Sequence, residues 1–110
     1  MENQKVEELV NNTQTFELVN GETVGLTLTF ARLYRLRACN PQIYEKYNRI
    51  MMDGAKDTFD FLRIIYTAYI CSNLEKIDDC MSFEDFIELA PFDMNKLMTL
   101  SKSIISSKKN

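Results

Sequence analysis

The sequence predicts a mainly α protein: a small domain of four or five helices around a central buried helix (57–74), with an N-terminal β-hairpin. Three observations carry this. Over Asp57–Leu74 the apolar residues Phe59, Phe61, Leu62, Ile64, Ile65, Tyr66, Ala68, Tyr69, Ile70, Cys71 and Leu74 wrap most of the circumference at 3.6 residues per turn, as in a helix buried on several sides. Upstream, TFELVNGETVGLTLTF alternates apolar and polar residues about Asn20-Gly21, a strong hairpin cue. Helix punctuation then recurs at Asn40-Pro41, Gly54, Ser82 and Pro91 to Asp93.

Taken in order, residues 1–14 (MENQKVEELVNNTQ) hold one short amphipathic run, Val6, Leu9 and Val10, and read as a flexible arm. In the hairpin, a two-residue turn at Asn20-Gly21 would set Phe16 and Leu18 on the face opposite Val24, Leu26 and Leu28. A three-residue loop, Val19-Asn20-Gly21 with Gly21 left-handed, gathers all five on one face and is the favoured register. A lone hairpin is marginal in water, so that face needs the helices or another chain. The first helix is expected from Phe30 to near Cys39, with Phe30, Leu33, Tyr34 and Leu36 to Ala38 on one side, and Arg32 and Arg35 on the other. It must stop there because the residue before a proline avoids the helical region.

Asn40 caps the second helix, with Pro41 at its first position, a stripe of Ile43, Tyr44, Tyr47, Ile50 and Met51, and a left-handed stop at Gly54. Asp57 caps the central helix, and Asp60 favours its positive end. Phe61, Leu62, Ile65, Tyr69 and Cys71 are expected to be almost fully buried. Glu75–Asp79 reads as a charged connector. Ser82-Phe83-Glu84-Asp85 opens a short helix burying Phe83, Phe86, Ile87 and Ala90 before Pro91 ends it. Asp93 caps a last helix with Met94, Leu97, Met98, Ile104 and Ile105. One domain thus spans residues 15–105, and residues 106–110 (SSKKN) form a polar tail.

Composition narrows the function. The chain has 110 residues, 45% hydrophobic and 26% charged, with a net charge of −3; that argues against wholesale disorder and makes nonspecific nucleic-acid binding a poor first guess. With no histidine, Ser-His-Asp and Cys-His sites and the usual imidazole metal ligands are excluded. No enzyme activity, cofactor or small-molecule substrate is therefore expected. Cys39, Cys71 and Cys80 form no CxxC pair, and the first 15 residues hold no apolar signal segment, which reads as reduced thiols in a cytoplasm. The central helix is just long enough to raise a membrane span, but its interior Asp60 and Arg63 argue against one.

The remaining signals are surfaces. Arg32, Arg35 and Arg37, with Lys46, Arg49 and interleaved tyrosines, could hold phosphate or stack a base, against the simpler reading of a solvated helix face on an acidic protein. The acids Asp78, Asp79, Glu84, Asp85 and Glu88 lack the alternation and central glycine of an EF-hand. Cys71, inside the apolar helix, reads as core. Six methionines in 110 residues are either adaptable core filler or an apolar surface suited to varied partners. The partner-binding residues expected from this are Tyr44, Tyr47, Met51 and Met52 of the second helix, with Met94 and Met98 of the last.

The order of segments resembles that of tail assembly chaperones of long-tailed phages and prophages of Gram-positive bacteria. The likeness covers about residues 15–105: a hairpin running into LTLTFARLYRLRACNP, then YEKYNRIMMDGAKDTFDFLRIIYTAYICSNL, then MSFEDFIELAPFDMNKL. Its most specific parts are the YxxYNxIMM and TFDFLxxxYTAYxC runs. The resemblance implies a small protein of the bacterial host's cytoplasm that binds the tape measure protein, keeps it soluble and helps recruit the tail tube protein. It implies absence from the mature virion and leaves a homo-oligomer open. It also implies a longer product made by frameshifting, for which A-rich codons at Lys108–Asn110 would supply a slippery run. The alternative from a different class is a small nucleic-acid-associated regulator using Arg32, Arg35 and Arg37.

Overall fold

The computed structural model describes residues 13–106. Strands β1 (Thr13–Glu17) and β2 (Thr23–Thr27) pair antiparallel, Phe16 opposite Val24 and Glu17 opposite Thr23. This register leaves the three-residue loop Val19-Asn20-Gly21, with Gly21 at φ +93. Glu22 N–H donates to Asn20 Oδ1 at 3.0 Å, and Leu18 N–H donates to the Glu22 carbonyl at 2.7 Å. Phe16, Leu18, Leu26 and Leu28 are buried and Val24 half-buried, so the apolar residues share one face as expected. β1 begins at Thr13, two residues earlier than the sequence suggested. Residues 1–12 of the expected arm (1–14) and the tail from Ser107 onward lie outside the described residues.

Five α-helices follow: α1 (Phe30–Cys39), α2 (Pro41–Asp53), α3 (Thr58–Ser72), α4 (Phe83–Leu89) and α5 (Met94–Ser106). Each starts on a short polar side chain that accepts from an otherwise unpaired amide. Thr29 Oγ1 accepts from Arg32 N–H, Asn40 Oδ1 from Ile43 N–H and Asp57 Oδ1 from Asp60 N–H. Ser82 Oγ accepts from Asp85 N–H and Asp93 Oδ1 from Lys96 N–H. α2 ends on Gly54, at φ +90, whose N–H returns to the Ile50 carbonyl at 2.7 Å. The stretch read as a charged connector is in fact a 3-10 segment, Leu74–Asp79, broken by non-helical torsions at Lys76. α5 runs to Ser106, one residue into the expected tail.

α3 is the central element. Leu62 and the whole run Ile64–Cys71 are buried, with β2, α5 and α2 packed around them. Thr67, a polar residue within this run, is buried because its hydroxyl donates to the Arg63 carbonyl at 2.7 Å and so needs no water. Phe61 is only half-buried, a correction to its expected near-complete burial, and Phe59 beside it is exposed. The first turns of α3 face a gap between α2 and α5 rather than the hairpin.

An aromatic cluster joins the remaining pieces to α3. Phe86 of α4 stacks on Phe16 of β1 (5.7 Å between ring centres) and on Tyr69 of α3 (5.4 Å), and meets Tyr66 edge-on at 5.3 Å. The two tyrosines also clamp one peptide. Tyr66 OH donates to the Met81 carbonyl at 2.8 Å, and Met81 N–H donates to Tyr69 Oη at 2.9 Å. The hairpin loop closes on the same region, Val19 N–H donating to the Leu89 carbonyl at 2.8 Å.

Candidate functional site

α2 is the least covered helix of the domain: of its residues only Tyr47 is buried. Two apolar depressions flank it. The first, about 270 Å³, lies against α1 and is lined by Phe30, Leu33, Tyr34, Arg37, Tyr44, Tyr47, Asn48 and Met51. The second, about 390 Å³, lies toward α5 and is lined in part by Ile50, Met51, Phe61, Ile64, Met98 and Ile105. Met51 borders both.

The six residues expected to bind a partner therefore divide. Tyr44, Tyr47 and Met51 share the first groove, and Met51 meets Met98 in the second. Tyr47 is a floor rather than a contact surface: burial, with lesser pushes from Cys71 and Tyr44, drives its phenol pKa well up, so it stays neutral. Met52 is 77% exposed but borders neither groove. Met94 is also exposed, with its sulfur 3.1 Å from Thr58 Oγ1 at the start of α3, and lines neither depression.

Sequence reasoning missed Phe30 and Tyr34. Both were placed with the core face of α1, yet they are 59% and 68% exposed, and only Leu33 and Leu36 of that helix are buried. Their spacing of four residues puts them on one helix face, so they form the upper wall of the first groove. The guanidinium of Arg37 stands 5.4 Å from the centre of the Tyr34 ring and 5.9 Å from that of Tyr44, bridging α1 and α2 across the groove.

The three arginines of α1 do not form one patch: two share an acid and the third turns away. Arg32 Nη1 donates to the Cys71 carbonyl at 3.2 Å and lies 3.5 Å from Glu75 Oε2; Arg35 lies 3.6 Å from the same oxygen. Glu75's own backbone N–H, with Arg32 and Arg35, holds its carboxyl below the usual carboxylate range. Arg37 turns instead to the tyrosines. Among the described residues no group of three or more Cys, Asp or Glu is arranged to hold a metal, and no helix is long and apolar enough to cross a membrane. In comparisons with known proteins, the chain matches no protein-family model, no curated protein and no solved structure.

Proposed function

We propose that this chain is a tail assembly chaperone, a cytoplasmic helix-binding protein of a long-tailed phage or prophage that holds the tape measure protein soluble while tail tube subunits are recruited. The reading rests on the segment order described above. The observation that supports it best is the position of Met51, exposed at the junction of two apolar grooves that run along one thinly covered helix. Grooves walled by aromatic and methionine side chains receive the apolar stripe of an amphipathic helix, and methionine lets one surface fit many such stripes. No catalytic step and no cofactor enter this role, and the protein leaves before the virion is complete. The nucleic-acid alternative is weaker because Glu75 draws on two of the three arginines it requires.

Co-expression with a tape measure protein tests the proposal. The wild-type chain should move that partner from the pellet to the supernatant. Met51→Asp together with Tyr34→Asp, both at exposed positions, should abolish the effect while the melting temperature stays within a few degrees, since surface changes are worth about 0.5 kcal/mol. A partner that precipitates equally with the wild-type chain sinks the chaperone reading. One that stays soluble with the double variant shows that another face is used.

A further inference from the structure

A third depression on the same helix has a different chemistry. Lys46 and Arg49 of α2, Phe59, Asp60 and Arg63 of α3, and Phe83 of α4 line a depression of about 220 Å³ with Ile50. Three cations and one carboxylate meet there, on a chain whose net charge is −3. Among the described residues no carboxylate lies within 4.0 Å of Lys46, Arg49 or Arg63. The one acid present, Asp60, acts on Arg63 from beyond that distance while its Oδ2 accepts from Lys56 N–H at 2.8 Å, so the lining carries more positive than negative charge. Arg63 is half-buried, its guanidinium 3.7 Å from the centre of the Phe83 ring, and desolvation pulls its pKa below the usual value. A partly desolvated cation in a cleft with more cations than acids attracts an anion more strongly than an exposed cation does. Beside it, Phe59 is left exposed.

We propose that this cleft is a docking site for an acidic amphipathic helix of a partner protein. One carboxylate of that helix is held by Lys46, Arg49 and Arg63, and an apolar side chain one turn away lies on Ile50, Phe59 and Phe83. Residues four apart on a helix stand about 5–6 Å from each other, close enough for both contacts to be made from one face. A phosphate ligand fits less well. The nearby start of α3 offers no free cap, since Asp57 Oδ1 already accepts from Asp60 N–H at 3.0 Å, and both aspartates repel a doubly charged group. A polyanion would in addition meet the negative charge of the whole chain. The proposal rests on charge and geometry alone and stands apart from the tape measure reading.

The test uses a fluorescein-labelled alanine-based helical peptide carrying Glu and Phe four residues apart, its Gln-for-Glu counterpart, its Lys-for-Glu counterpart and a labelled oligothymidylate. Anisotropy with the full chain should show the Glu peptide binding about tenfold tighter than the Gln peptide. The double variant Lys46→Glu, Arg49→Glu, both at exposed positions, should erase that preference and favour the Lys peptide. Equal affinities for the Glu and Gln peptides, or no binding of either, overturns the proposal. Oligothymidylate binding tighter than the Glu peptide, and lost in the double variant, overturns it in favour of a nucleic-acid site.

Discussion

Cys71 and Tyr66 show how burial on α3 sets a pH limit for the fold. Desolvation pushes the Cys71 thiol from an ordinary 9.0 up to about 12, although Arg32 pulls it the other way. Burial likewise moves the Tyr66 phenol from 10.0 up to about 12, opposed by Arg63. Below pH 9 both groups are protonated in the folded and the unfolded chain, and they contribute no pH dependence. Above it the unfolded chain releases its protons first, the native state binds more, and the free energy of unfolding falls as pH rises toward 12. The urea midpoint should therefore be flat up to about pH 8.5 and drop between about pH 9 and 11. Cys71→Ala should flatten part of that drop. A midpoint at pH 11 equal to that at pH 7 would mean these side chains reach water.

At the scale of elements, α4 has only seven residues, too few to be stable by propensity alone. What fixes it is Phe86, fully buried between Phe16, Tyr66 and Tyr69. Phe86→Ala should cost about 3–5 kcal/mol, a combined transfer and cavity loss. Phe92→Ala, at a position 88% exposed, should stay within about 0.5 kcal/mol. Urea titration of the two variants checks this, and similar midpoints would place α4 outside the core. The starts of α2 to α5 were legible in the sequence because caps are local: Asn40-Pro41, Asp57, Ser82 and Asp93 each act on the amide three residues on, whereas α3 stops at Ser72, short of the expected Leu74. Which apolar residues of a helix reach the core was less legible. Phe30 and Tyr34 carry the same pattern as Leu33 and Leu36, and only the position of α2 decides which pair is covered. The candidate site was legible in part for the same reason. The stripe of α2 predicts Tyr44, Tyr47 and Met51, but their meeting with Phe30, Tyr34 and Met98 depends on how three helices cross.

Over the whole molecule, the covered and uncovered surfaces have a simple distribution. β2, α5, α2 and α4 all pack on α3, and grooves stay open at the seams of α2 with α1 and with α5. An apolar and a charged surface are thus laid along α2 side by side, Met51 at one seam and Lys46 with Arg49 at another.

The contact between the hairpin and α4 also fixes an order of events on the ribosome. Phe16 and Val19 wait for Phe86 and Leu89, which emerge roughly seventy residues later; at about 5–20 residues per second that is some 4–14 s of synthesis. Throughout that interval Phe16 has no Phe86 ring to stack on, and a two-stranded hairpin does not hold alone. Stalled chains whose last emerged residue precedes Ser82 should be cut within residues 13–28 by a dilute protease, and chains emerged past Ser106 should resist. Equal resistance at both lengths would show that the hairpin docks on α3 without waiting for α4.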